Sequence, residues 1–229
     1  TADFVAGHSL GEYSALVASE VIAFEDAVKL VQTRGQLMQA AVPIGEGGMA
    51  AIMGLADGQV ASICEAVTLE ADGSVEPANL NAPGQIVISG TKAALETACA
   101  QCLDSGAKRA VPLNVSAPFH SRLMAGAAEQ MATALESVAF SAPRISVVQN
   151  VVAETVSDPS VIRNNLVAQM VGAVRWTESI QYLVGSGVET FIECGPGKVL
   201  SGLIKRIERQ VTTEQVGSAS AALLASADQ

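Results

Sequence analysis

One stretch of twelve residues, VAGHSLGEYSAL at positions 5–16, constrains the fold more than any other part of the chain. It contains Gly7-His8-Ser9-Leu10-Gly11, a G-x-S-x-G pattern, between a short apolar run (DFVAG) and a segment of helical composition (EYSALVAS). A strand that turns sharply into a helix around a serine is a nucleophile elbow, and it needs a sheet below the turn. Glycines on both sides of the serine let backbone approach backbone where side chains would clash. The same residues satisfy a second pattern. Ser9-Leu10-Gly11-Glu12 is S-x-x-E, a capping box in which serine and glutamate satisfy the first N–H groups of a helix. A cap needs no flanking glycines, so the pattern favours the elbow. Ser9 is expected to do both: to start the helix, and to carry a reactive hydroxyl next to N–H groups and a dipole that favour an anion.

The rest of the chain predicts an α/β fold in two units. Helices are expected over 10–19 and 24–40, the second with Phe24, Ala27, Val28, Val31 and Met38 on one inward face. The glycine cluster IGEGGM (44–49) marks a boundary. Beyond it the order strand, helix, strand, strand, helix, strand over 48–113 is a ferredoxin-like split βαβ unit inserted in a larger one. A helix over 121–137, a strand RISVVQN, helices near 159–171 and 176–186, a strand VETFIECG and a helix KVLSGLIKRIE resume the larger unit. Their alternation predicts a parallel sheet covered on both faces. The domains are therefore a discontinuous core, 1–46 with 114–211, and a subdomain, 47–113. The Ala- and Ser-rich segment 212–229 reads as a flexible tail.

Composition narrows the function. The 229 residues are 49% apolar, enough for a sizeable core, and no apolar run reaches the length of a membrane span. With 23 acidic against 13 basic residues the net charge is −10, which argues against nucleic acid as a partner. Cys99 and Cys102 form a C-x-x-C inside a helical stretch, without a second such pair and with only two histidines in the chain. Neither a metal site nor a bound cofactor is expected, and the cysteines read as reduced thiols of a cytoplasmic protein. The chain begins at Thr1, directly at the strand before the elbow, so further sequence upstream is expected.

A serine hydroxyl needs a base to take its proton. His8 is adjacent to Ser9, but neighbours in an elbow project in different directions. His120, in NVSAPFHSRLM after the last strand of the inserted unit, is the better placed candidate. Arg34, in LVQTRGQLM, interrupts an apolar helix face, with Gly35 beside it removing bulk. A guanidinium there offers a bidentate fork for a carboxylate.

Five segments in order, GHSLGEYSAL, TRGQLMQ, NAPGQIVISG, VPLNVSAPFHSRLM and ECGPGKVL, resemble the malonyl-CoA:acyl carrier protein transacylases, the acyltransferase family of fatty acid and polyketide synthesis. The resemblance implies an α/β-hydrolase-like core carrying the ferredoxin-like subdomain. It implies that Ser9 attacks a thioester and carries the malonyl group, and that His120 acts as base and acid. The main-chain carbonyl of Gln169 would orient His120, and the Leu10 N–H would form half of an oxyanion hole. Arg34 would hold the malonyl carboxylate, and Phe119 would crowd an α-methyl group, a preference of about 1–3 kcal/mol. Malonyl-CoA and a phosphopantetheinylated acyl carrier protein would be the substrates. A basic face of Lys198, Lys205, Arg206 and Arg209, with Arg122 near the site, would receive the acidic carrier. The chain is expected to be a monomer. Alternatives are the acyltransferase domain of a polyketide synthase, a serine hydrolase or thioesterase, and a non-catalytic domain. An arginine reserved for a carboxylate has no role in a simple esterase, and a decayed site would have lost Ser9, Arg34 or His120.

The family's Gly-Gln-Gly-Ser-Gln motif, whose glutamine N–H completes the oxyanion hole, is not in this sequence. Loss of one such donor costs about 10²–10³ in rate. These 229 residues alone are expected to be weakly active, and robust steady-state transfer by them would overturn that expectation.

Overall fold

The structure, a computed structural model, describes residues 2–70 and 73–217. In chain order the elements are β1 (Phe4–Ala6), α1 (Gly11–Ala18), α2 (Phe24–Ala40), β2 (Gly47–Met53), α3 (Asp57–Glu70), β3 (Val75–Ala82), β4 (Gln85–Thr91), α4 (Lys92–Asp104) and β5 (Arg109–Pro112). There follow a 3₁₀ turn (Arg122–Met124), α5 (Ala125–Glu136), β6 (Ser146–Val148), α6 (Pro159–Val171), α7 (Trp176–Gly185), β7 (Thr190–Cys194), α8 (Val199–Ile207) and β8 (Thr212–Val216). The fold is mixed α/β, with parallel and antiparallel sheets. β1 pairs in parallel with β6, and β7 with β8, while β2 to β5 form an antiparallel sheet in the order β3-β4-β2-β5.

The alternation of β2 shows how sequence builds the antiparallel unit. Ala50 and Ile52 face α3 and α4 in one core with Val60, Cys64, Ala94 and Cys102. Met49 and Ala51 face the other way and pack with Ala78, Val87 and the half-buried Phe119. Both faces of β2 are covered, so this strand carries no polar side chain. Cys64 and Cys102 of the first core are buried free thiols; burial pushes Cys64 up to about 12 and Cys102 to about 11. Such thiols are poor nucleophiles and poor ligands.

α1, α2, α5 and α6 enclose the second core, around Leu16, Leu30, Met131, Leu135, Ile162 and Leu166, with Val147 of β6 at its floor. The buried stripe of α2 is Ala27, Leu30, Arg34 and Met38, a 3-4-4 spacing, whereas Phe24 and Val28 are exposed. Arg34 therefore lies on the core-facing side of its helix. Gly35 has open space around it and makes no room for anything. α6 starts where its sequence says it should: Asp158 accepts from the N–H groups of Ser160 and Val161, and Pro159 opens the first turn.

The parallel strands differ from the expected continuous sheet. They form two separate pairs, joined by side-chain packing of Phe4, Ala6 and Val148 against Phe191, Trp176, Ile180 and Leu203. The expected loose tail is also corrected in part. Residues 212–216 form β8, because the N–H and C=O groups of a strand next to β7 find a parallel partner, Thr190 to Cys194 matching Thr212 to Val216. Residues 218–229 of that expectation lie outside the described residues. No helix among the described residues is long and apolar enough to cross a membrane.

The two elbow glycines turn out to be unequal. A Cβ on Gly7 would stand 1.9 Å from the Gly11 carbonyl oxygen, whereas one on Gly11 would meet nothing within 4 Å. Gly7→Ala is therefore expected to destabilise the protein by about 1–3 kcal/mol or more. Gly11→Ala, at the first position of α1, should be neutral or raise stability by up to about 1 kcal/mol. Urea unfolding midpoints of the two variants against the parent check both.

Candidate active site

The site forms where β1 and β6 end side by side. Ala6 pairs with Val148, so the residues that follow each strand, Gly7–Ser9 and Gln149–Asn150, emerge at the same edge. That is the carboxyl end of parallel strands, where open α/β sheets carry their sites. Asn150 ties the two together. Its Nδ2 donates to the Gly7 carbonyl at 2.7 Å, and its Oδ1 accepts from the Ser9 N–H at 2.7 Å. Ser9 is held at φ +53°, a left-handed conformation rare for a residue with a side chain. His120, at φ +58°, is held the same way. Such backbone strain costs on the order of 1–3 kcal/mol at each position and persists where neighbours over-determine it.

The strained turn throws the Ser9 hydroxyl towards His120: Oγ lies 2.7 Å from Nε2. It does not cap the helix. Leu10 is the cap position of α1, with no side-chain cap hydrogen bond, and Glu12 does not reach back to the turn. The capping reading fails because Ser9 lies one residue too early, and its hydroxyl and the glutamate are each committed elsewhere. Glu12 is fully buried, and its Oε2 accepts from the Asn150 N–H at 2.9 Å and from Gln169 Nε2 at 3.0 Å. Burial pushes its carboxyl up to about 7 against the opposing pull of these bonds and of Arg34.

The second nitrogen of His120, Nδ1, lies 2.7 Å from the main-chain carbonyl of Gln169. Gln169 is in the last turn of α6, where carbonyls have no partner within the helix and are free to accept. A carbonyl can only accept, so Nδ1 carries the proton and Nε2 presents its lone pair to the serine. His120 is 4% exposed, and burial together with the positive charge of Arg34 lowers it to about 4. The ring is thus neutral at physiological pH and set to take a proton. When it does, the negative end of the α6 dipole faces the imidazolium.

Arg34 is 5% exposed and enters from α2. One nitrogen, Nη2, donates both to Ser9 Oγ at 2.9 Å and to Gln169 Oε1 at 3.0 Å. Its Nε has no partner among the described residues and is buried. No carboxylate lies within ion-pair distance of it there. The guanidinium therefore sits beside the nucleophile with part of its fork unused. The structure brings Ser9, Arg34, His120 and Gln169 together.

The other expected residues are placed as follows. Leu10 is half exposed, and its N–H donates to no protein group among the described residues. Phe119 packs between the two units and lines a groove of about 500 Å³ with Ile44, Asn114, Val115 and Ser116. His8 turns away from Ser9: its Nε2 is 2.8 Å from Asn81 Oδ1 and its ring lies 5.5 Å from that of Trp176. Lys198, Arg206 and Arg209 are exposed at α8. Lys205 donates to the carbonyls of Arg209 and Val211, and Arg206 to Gln85 of β4. Arg122 pairs with Glu76 of β3.

Two residues of the site escaped the sequence reading, Asn150 as any site residue and Glu12 as more than a cap. The available signal was an asparagine directly after an apolar strand, at the end where parallel sheets bind ligands.

Residues 1–225 match the acyl transferase domain family. The chain is 50% identical over 218 residues to the malonyl CoA-acyl carrier protein transacylase of Salmonella typhimurium, covering 95% of this chain and 70% of that one. It is 49% identical over 213 residues to the Bacillus subtilis protein of the same name, covering 93% and 67%. Among solved structures, an acyl-carrier-protein S-malonyltransferase from Burkholderia pseudomallei superimposes with a TM-score of 0.93 at 51% identity, covering 97% of this chain and 72% of that one. A type II PKS acyl-carrier protein in complex with its malonyl-transacylase matches with a TM-score of 0.94 at 43% identity, covering all of this chain and 74% of that one. The chain belongs to the acyl transferase domain family.

Proposed function

We propose that this protein transfers a malonyl group from coenzyme A to the phosphopantetheine thiol of an acyl carrier protein through an ester on Ser9, supplying fatty acid synthesis. The observation that carries the reading is the buried Arg34, without a carboxylate partner among the described residues, 2.9 Å from a serine hydroxyl that is itself 2.7 Å from a neutral histidine. Malonyl-CoA presents a thioester and, two carbons away, a carboxylate that such a cation would bind. A serine hydrolase acting on neutral esters has no use for it. The names of the relatives point to the same chemistry.

The steps balance on one proton. Ser9 Oγ attacks the thioester carbonyl carbon as its proton passes to His120 Nε2. The Leu10 N–H, at the start of α1, supports the oxyanion. The intermediate collapses, the C–S bond breaks, and the coenzyme A thiolate takes the proton from Nε2. The carrier thiol then gives its proton to Nε2, its sulfur attacks the ester carbonyl, and the Ser9 oxygen leaves with that proton. Neither step needs a metal or an organic cofactor.

The same reading assigns the architecture. We read the β2 to β5 unit, 47–113, as a ferredoxin-like subdomain, supported by its strand order and its two helices on one face. Residues 1–46 and 114–211 are read as a hydrolase-like core, extended by β8. Phe119, at the junction of the two, is the residue that would crowd an α-methyl group next to the thioester. Lys198, Arg206 and Arg209 on and around α8 are the docking face for an acidic carrier, with Arg122 partly neutralised by Glu76 and Lys205 tied to the segment after α8. The free cysteines suit a reducing cytoplasm.

Intact-mass analysis of the full-length natural protein with malonyl-CoA tests the reading. A malonyl adduct absent from Ser9→Ala is expected; released coenzyme A without an adduct would make the protein a hydrolase. Arg34→Ala should lower kcat/KM for malonyl-CoA by the equivalent of about 2–5 kcal/mol, and far less for acetyl-CoA. A pH profile supplies a third check. The base must be neutral in the free enzyme, and burial with the Arg34 charge lowers it to about 4. Activity should therefore fall as pH drops through about 4, not through the ordinary histidine value of about 6.5. Arg34→Met should move that limb upward. In the bound state the substrate carboxylate offsets the Arg34 charge, so the limb of kcat should lie above that of kcat/KM.

A further inference from the structure

Gln169 enters the mechanism through its main chain, yet its side chain is fully buried and more heavily bonded than any other in the site. Its Nε2 faces three oxygens: the Ser9 carbonyl at 3.1 Å, Glu12 Oε2 at 3.0 Å and Asn150 Oδ1 at 3.3 Å. Only the donor end of an amide can face three acceptors, so its Oε1 must be the atom turned to Arg34 Nη2, at 3.0 Å. Arg34 Nη2 has two hydrogens. One goes to this oxygen and one to the nucleophile.

The chemistry of the contact matters as much as its geometry. A neutral oxygen positions a guanidinium without cancelling its charge. A carboxylate in the same place would occupy the fork and close an ion pair in the buried site. The one buried carboxyl nearby, Glu12, sits on the far side of the amide, bonded to its nitrogen and not to Arg34. The order along the line is guanidinium, amide, carboxyl. It leaves the Arg34 Nε–H buried and, among the described residues, unpartnered, on the same guanidinium whose Nη2 reaches Ser9 Oγ.

We propose that the Gln169 side chain is a specificity-determining positioning residue: held by Glu12, Asn150 and the Ser9 carbonyl, its amide seats Arg34 beside the nucleophile and keeps that cation unpaired for the carboxylate of the incoming acyl group. One residue then serves both halves of the site, the main-chain carbonyl aligning the base and the side chain aligning the cation. The inference rests on the reading of Arg34 as the group that binds the malonyl carboxylate.

Any substitution at 169 keeps the main-chain carbonyl, so the two roles separate experimentally. Gln169→Glu preserves size and places a carboxylate against Arg34; Gln169→Leu removes both polar ends. In each, the rate of Ser9 acylation by malonyl-CoA is compared with the rate of Ser9 labelling by a neutral fluorophosphonate, both followed by intact mass in the full-length protein. The fluorophosphonate reports on Ser9 and His120 without needing a carboxylate site. The ratio of malonyl acylation to neutral labelling is expected to fall about tenfold or more in both variants. The malonyl-CoA KM should rise more than kcat falls. An unchanged ratio overturns the proposal, and so does a parallel loss of both reactions, which would mean that the side chain only supports the turn. Should Gln169→Leu fail to fold, the near-isosteric Gln169→Glu decides alone. If the parent protein forms no Ser9-dependent malonyl adduct, the functional reading itself fails, and that outcome is distinct from either variant's.

Discussion

The site hangs on a buried hydrogen-bond network joining three chain segments remote in sequence: the turn 7–12, Asn150 just past β6, and the last turn of α6 at Gln169. A Ser at φ +53° would relax if left alone. Here its N–H is held by Asn150 Oδ1, and its carbonyl by both the Glu12 N–H and Gln169 Nε2. Glu12, Asn150 and Gln169 are buried, so releasing one leaves another unsatisfied, at a cost of about 1–3 kcal/mol. That mutual dependence keeps the elbow sharp and the nucleophile aimed.

The network is incompletely satisfied in one direction. Glu12 Oε1 and Arg34 Nε have no partners among the described residues. Interiors seldom leave such groups, and those that persist call for an explanation. For Arg34 the explanation we propose is a substrate carboxylate. The cation also sets the base: its charge, added to burial, holds His120 neutral until a proton arrives from serine or thiol. The end of α6 does what an aspartate does in a serine–histidine–aspartate triad, fixing the tautomer with a carbonyl and facing the imidazolium with the negative end of a helix dipole.

The antiparallel unit is fastened to the rest through β3 and the loop that follows β5. The Leu80 N–H donates to the Val174 carbonyl and the Val174 N–H to that of Ala78, each at 2.9 Å. Asn81 holds His8 beside the nucleophile. Phe119 plugs the seam between the units, and His120 is the next residue. The base thus reaches Ser9 from a loop anchored on one unit, while the nucleophile turns out of the other. A groove lined by Phe119 and Val115 opens at the same seam.

Much of this was legible along the chain. G-x-S-x-G between a strand run and a helical run set the elbow, and apolar runs and helical spacing set most of the elements. Scarcity of histidines singled out His120. Local sequence could do this because caps, periodicity and steric need for glycine act over a few residues. Other facts arose only when distant segments met. The inward face of α2 reads as Phe24, Ala27, Val28, Val31 and Met38 until packing selects 27-30-34-38 and leaves Phe24 and Val28 exposed. Glu12 reads as a cap until Asn150 and Gln169 take its carboxyl, and β8 reads as tail until β7 pairs with it. Sequence alone determined which chemistry the chain could carry and where its elements begin. Tertiary structure decided which polar groups would lose water together, and so which of them had to bind one another and which were left free for a substrate.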